Sequence, residues 1–215
     1  MAQDYGWQFS NALSTGPVAS GSFIREATTT LVLSETNDPQ TGNLALWPGM
    51  GTSGGDLIKA LASQSWMAPT HAVRGLASDR RVQETGDYVT GEPGDHLTIK
   101  YKYNDSTQEY EQTVSLKGEV VSALHSGQAE GWGTAVECQS AACGFVPSHE
   151  YIDTELIMDV ADPNYHDTEG TTGATGDIVT NDSGKTRLRP PSSSSLRPSL
   201  DGDQVFVRQG PRWQL

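Results

Sequence analysis

Glu137, in the run GTAVEC, and a scattered aromatic set carry most of the chemistry legible in this chain. Trp47 and Trp132 each lie beside glycines at the end of an apolar run, and Tyr101 and Tyr103 alternate along another. Such rings most often fill a core. Placed instead along a concave sheet, they line a broad apolar cleft for a flat, oily ligand, or a stacking surface for sugars. Glu137 is then the one carboxylate poised inside that cleft. Trp47, Trp132 and Tyr103 are the expected ligand-binding residues.

Other chemistries lack their residues. GMGTSGGD is glycine-rich, but no Lys-Ser/Thr follows and no strand–helix–strand unit surrounds it, so it is no phosphate loop. Ser53 stands in GTSGG rather than in a nucleophile elbow. His71, His96, His125, His149 and His166 are scattered and read as surface or turn residues. Asp162, Asp167, Asp177 and Asp182 match no calcium loop, and solvated acidic turns explain them better. Glycoside hydrolysis needs two acids facing one groove, and no E-x-D-x-E strand occurs. No metal and no cofactor is expected.

Cys138 and Cys143, with small residues and Gly144 beside them, read as a short disulfide loop, with two reduced thiols as the alternative. Sequons at Asn104 and Asn181 fall in turn-like segments where a glycan would project. Those features point outward. The start, MAQDYGWQFSNAL, has neither the basic nor the apolar region of a signal peptide, and no run reaches transmembrane length. Localisation stays open at this stage, and no membrane partner is expected.

The elements that must position these residues are strands. In GDHLTIKYKYNDSTQEYEQTVSLK, residues Leu97, Ile99, Tyr101 and Tyr103 take one face; His96, Thr98, Lys100 and Lys102 take the other. A two-residue period marks a half-buried antiparallel strand. Asn104, Asp105 and Ser106 supply the turn, and Tyr110, Gln112, Val114 and Leu116 resume the alternation. Further strands are predicted over 22–33, 43–50, 119–124, 133–138 and 151–160, while 56–62 suits a strand or a helix. Residues 63–92 lose periodicity and read as an irregular insertion. The chain of 215 residues, rich in Gly, Thr, Ser and Asp, suits one all-β domain over 1–186. Residues 187–215 are low-complexity and predicted to be disordered.

A net charge of −13 argues against a nucleic-acid partner. Of 14 basic and 27 acidic residues, six basic and two acidic ones follow Gly184, so the body of the chain is more acidic still.

Read in order, LALWPGM, GDHLTIKYKYN with its return QTVSL, GTAVEC, CGFVPSHEYIDTELIMDVAD and TGD…NDSGKT resemble the fungal glutamic peptidases (eqolisins) and their non-proteolytic relatives. The resemblance covers roughly 22–62 and 94–186. It implies an antiparallel β-sandwich of concanavalin-like jelly-roll type. Family peptidases use a Glu as acid/base and a Gln at the oxyanion. Here Lys59 stands near the Gln place and Gly133 near the Glu place, with Glu137 further along, so the resemblance implies lost proteolysis. It also extends to hetero-Diels–Alderases that join a tropolone quinone methide to a humulene-type terpene. That chemistry needs an apolar cleft, proximity and one donor to an enone oxygen. Lys59, Tyr101 and Glu137 are the catalytic candidates, and the expected partner is an apolar small molecule. Two alternatives remain: a lectin-like module using Trp47 and Trp132, and an acid peptidase using Glu137.

Overall fold

A computed structural model describes residues 8–36, 41–52, 57–65, 68–79, 82–85, 89–126, 128–140, 143, 148–176, 179, 187–188, 194–196 and 207–208. In chain order the strands begin β1 (Gln8–Thr15), β2 (Ile24–Val32), β3 (Asn43–Thr52), β4 (Leu57–Ser65) and β5 (Ala68–Asp79). Next come β6 (Val82–Thr85), β7 (Val89–Gly91), β8 (His96–Asn104), β9 (Glu109–Leu116) and β10 (Glu119–Ser126). The rest are β11 (Ala129–Cys138), β12 (His149–Met158), β13 (Gly170–Thr172), β14 (Arg187–Leu188), β15 (Ser194–Leu196) and β16 (Val207–Arg208). One 3-10 turn, Tyr165–Thr168, interrupts them, and no α-helix occurs among the described residues.

Two antiparallel sheets result. The first runs β13-β1-β11-β3-β4-β5-β6, with β16 added to β1 and β7 to β5. The second runs β10-β9-β8-β2-β12-β14, with β15 added to β12. They stack as a sandwich. Leu44, Leu46, Met50 and Ile58 of the first sheet share one buried cluster with Leu31, Ile99, Val114 and Leu156 of the second. Each such side chain contributes roughly 1.5–3 kcal/mol when fully buried. Two phenols tie the layers: Tyr101 Oη donates to Pro48 O at 3.1 Å, and Tyr110 Oη accepts from Ala129 N at 3.0 Å and donates to Ile24 O.

The central hairpin keeps its predicted faces. Leu97, Ile99, Tyr101 and Tyr103 are buried on β8, and Tyr110, Gln112, Val114 and Leu116 on β9. Of segment 56–62, the described residues 57–62 belong to strand β4. The stretch 63–92, expected to be irregular, instead holds the end of β4 and all of β5, β6 and β7. β5 pairs with β4 from Leu57–Ser78 to Ser65–Ala68. A strand recruited through its backbone ladder needs no apolar alternation of its own. In the tail, expected to be disordered, the described residues form three short edge pairings: β14 and β15 on β12, β16 on β1.

The first sheet is apolar on both faces around its centre. On β3, Leu44, Leu46 and Met50 point into the sandwich, while Ala45 and Trp47 join a separate cluster with Leu61 of β4 and Ala135 of β11. Phe9, Ala12 and Leu57 pack on that second cluster. The outer face of this sheet is where the chemistry gathers.

Candidate functional site

Glu137 lies wholly buried on this outer face, and its carboxylate collects three donors. Lys59 Nζ reaches Oε2 at 2.8 Å, Trp47 Nε1 donates to the same oxygen at 2.9 Å, and Gln139 Nε2 donates to Oε1 at 2.7 Å. Lys59 is 3% exposed. Its ammonium stands 5.1 Å from the Trp47 ring centroid, within cation–π reach. Phe9 meets the same indole edge-on, centroids 6.4 Å apart. The lysine nitrogen stands at ion-pair distance from one carboxylate oxygen, and the indole and amide N–H groups take up further acceptor positions.

The strand register explains the meeting. Gly133 of β11 pairs with Gly49 of β3, and Gly49 pairs with Lys59 of β4, so the three form one row across the sheet. Glu137 lies further along β11, opposite Ala45. The Lys59 stem must cross Trp47 to reach it. Gly49 leaves the room, because a Cβ there would stand 2.8 Å from Ile58 O, 3.1 Å from Lys59 Cβ and 3.3 Å from Trp47 Cε3. Pro48 breaks the ladder beside it, having no N–H to give. The paired residues of β3 and β4 pass from Leu46–Ala62 to Gly49–Lys59, and Tyr101 of the opposite sheet bonds the Pro48 carbonyl.

The remaining candidates lie elsewhere. Tyr101, Tyr103 and Trp132 sit in the interior cluster between the sheets, at 0%, 7% and 4% exposure. Of the four predicted aromatics, Trp47 alone shares the outer face with Glu137 and Lys59. Burial pushes the Tyr101 phenol well above its ordinary range. Trp47 is itself 2% exposed, so neither indole offers a ring face to solvent. His149, expected at the surface, is buried on β12. Cys138 and Cys143 form a disulfide. Asn104 closes the β8–β9 hairpin: Oδ1 accepts from Ser106 N and Oγ at 3.0 and 2.6 Å, and Nδ2 donates to Glu111. Asn181 lies outside the described residues.

Two members of the cluster lie outside the predicted set of site residues. Gln139 follows the disulfide's first cysteine, and Phe9 comes from the far end of the chain; only the i, i+2 spacing of Glu137 and Gln139 hinted at a shared strand face. Among the described residues no group of three or more His, Cys, Asp and Glu gathers as a metal set, and no helix is long and apolar enough to cross a membrane.

No family model matches this chain, and no curated protein matches it by sequence. Solved structures do. Scytalidoglutamic peptidase with a peptide-based transition-state analogue superposes with a TM-score of 0.55 at 15% identity, covering 86% of this chain and 98% of that one. This is the eqolisin fold. A second scytalidoglutamic peptidase structure, bearing a transition-state analogue inhibitor, gives 0.55 at 13% identity over the same shares. SCP-B, a member of the eqolisin family solved with the tripeptide Ala-Ile-His, gives 0.51 at 15% identity, again covering 86% and 98%.

Within the eqolisin fold, the two places the sequence resemblance assigns to the peptidase pair, Lys59 and Gly133, fall in one row on either side of Gly49. Gly133 cannot accept a carboxylate side chain in this backbone. A Cβ there would stand 2.7 Å from Leu13 O and 3.3 Å from Ser14 Cα.

Proposed function

We propose that the protein is a cofactor-free enzyme acting on an uncharged, largely apolar small molecule, and that its reaction is a hetero-Diels–Alder cycloaddition. The observation that carries this reading is the buried Lys59–Glu137 pair on the outer face of an eqolisin-fold sheet, set in an apolar patch of Ala45, Trp47, Leu61 and Ala135. Glu137, with three donors on it, acts as the clamp. Lys59 is the working group, an ammonium held in place to donate to a developing oxyanion. The heterodiene of a quinone methide, C=C–C=O, adds across an alkene; one C–C and one C–O bond form and nothing leaves. Such a reaction asks for two partners held in register and one donor, and orientation alone supplies several kcal/mol. Lys59 is 3% exposed, so a ligand reaches it only when the side chains packed over it move aside.

The test is incubation of the purified protein with a tropolone quinone-methide precursor and a humulene-type alcohol. A faster, stereoselective adduct that is lost in Lys59→Met is expected. An unchanged rate and product ratio would refute the reading.

A second reading rests on the Gln139–Glu137 contact, an amide beside a carboxylate on a peptidase fold. It makes the protein an acid peptidase with Glu137 as acid/base. Casein cleavage near acidic pH that disappears in Glu137→Gln would support it, and intact casein would dismiss it.

A further inference from the structure

The disulfide lies one residue from the carboxylate at the centre of the site, and the residue it restrains is one of the three that hold that carboxylate. Cys138 ends β11, opposite Leu44 of β3 and Gln8 of β1, and is fully buried; Cys143 is half-buried. The bridge closes a loop of sequence separation 5. Inside it, Gln139 N donates to Asn43 O at 2.8 Å, and Ser140 Oγ accepts from Asn43 N at 2.8 Å. Gln139 Nε2 then reaches Glu137 Oε1 at 2.7 Å. Three ties therefore converge on Gln139: a covalent ring, a strand-end hydrogen bond and the carboxylate.

We propose that the Cys138–Cys143 disulfide is a redox latch on the candidate site, which when closed presses Gln139 onto Glu137 and fixes the Lys59–Trp47 cluster. This deepens the functional reading only in that it concerns the same residues; it holds whatever reaction they serve. A dithiol reductant opens the latch. Its thiolate attacks the Sγ of Cys143, the less buried residue of the two, and Cys138 leaves as a thiolate that takes up a proton. The mixed disulfide is resolved by the reductant's second thiol, giving two cysteine thiols and an oxidised reductant. The β11 ladder is undisturbed, since Cys138 keeps its pairing to Leu44 through backbone groups. The loop loses its closure, and Gln139 is left with the strand-end bond alone to place it. Glu137 Oε1 then lacks a fixed donor, while Oε2 keeps Lys59 and Trp47.

Because Trp47 and Gln139 bind opposite oxygens of one carboxylate, the indole reports on the latch. The full chain is titrated with dithiothreitol while near-ultraviolet circular dichroism and tryptophan emission are followed, with far-ultraviolet dichroism as the measure of fold. Reduction is expected to change the tryptophan signals reversibly without loss of strand signal. Oxidised Gln139→Ala should show the same change, and Trp47→Phe should abolish most of it. A Cys138→Ser/Cys143→Ser double variant that folds and resembles the reduced protein is the further expected result. Unaltered tryptophan signals on full reduction would overturn the latch. So would global unfolding on reduction, which would make the bridge a plain structural staple. No substrate enters the experiment, so a failed latch leaves the cycloaddition assay to stand or fall separately.

Discussion

Lys59 and Glu137 belong to strands separated by β3, yet their charged ends meet at 2.8 Å across the ring of Trp47. The side chains are 4% and 0% exposed, so each charge depends on the other in a medium that solvates it poorly. Removing either partner strands the survivor, at a cost of roughly 3–5 kcal/mol. Lys59→Met and Glu137→Leu should each lower the urea midpoint strongly. The double variant should cost less than the sum of the two, as a double-mutant cycle would show.

Gly133 and Gly131 let β1 run against β11. A Cβ at Gly131 would lie 2.6 Å from Thr15 O, and at Gly133 2.7 Å from Leu13 O. The clashing atoms are backbone, which cannot step aside cheaply. Gly133→Ala should therefore destabilise by about 1–3 kcal/mol, in the range of overpacking. Lys59→Gln/Gly133→Glu, which puts a Gln and a Glu where the sequence resemblance sets the peptidase pair, should fail to cleave casein because the second change disrupts β1. A well-folded, proteolytic double variant would contradict this.

Burial raises the phenol pKa of Tyr101, Tyr110, Tyr151 and Tyr165 above the ordinary value near 10. A raised folded-state pKa means that the neutral form is favoured by the fold. The stability it brings is whole below about pH 10 and drains away as pH climbs toward the folded values. Each phenol that ionises only on unfolding removes about 1.4 kcal/mol per pH unit. Urea midpoints should hold up to about pH 9 and fall steeply beyond about pH 10. Tyrosinate absorbance should rise together with the loss of strand signal. Tyr101→Phe should flatten the alkaline limb while costing about 1 kcal/mol at neutral pH for the lost bond to Pro48 O.

Gln112 is 1% exposed, and its amide lies against the Tyr101 hydroxyl without forming a well-aligned hydrogen bond. Tyr101 stands opposite it on the ladder, with its hydroxyl committed to Pro48 O. An amide buried in this way costs about 1–3 kcal/mol. Gln112→Leu, similar in size and apolar, should raise stability by about 1 kcal/mol. A lower midpoint would show that the amide is satisfied.

How much was legible in advance follows from range. The β8–β9 hairpin could be read residue by residue, since its turn and both faces are set by neighbours two and four positions away, and every predicted inward residue is buried. The eqolisin-like sandwich followed from strand count and spaced motifs. Residues 63–92 resisted because β5 gains its place from a backbone ladder with β4, which leaves no local period. Parity grouped Tyr101 and Tyr103 with Leu97 and Ile99 but does not say whether such a face meets the other sheet or a cleft. The inward places of Tyr101, Tyr103 and Trp132 and the outward place of Trp47 depend on which face of each strand meets the other sheet.

The sequence by itself settled an all-β chain with sheets apolar on at least one side, because alternation, turn residues and glycine punctuation act within a few positions. Only the tertiary structure decided that Glu137 would be met by Lys59, 78 positions away, by Trp47, 90 away, and by Gln139 beside it. Three adjacent strands must be in register before a lysine can cross an indole to a carboxylate, and register between strands is fixed by the pairing and packing of the whole sheet.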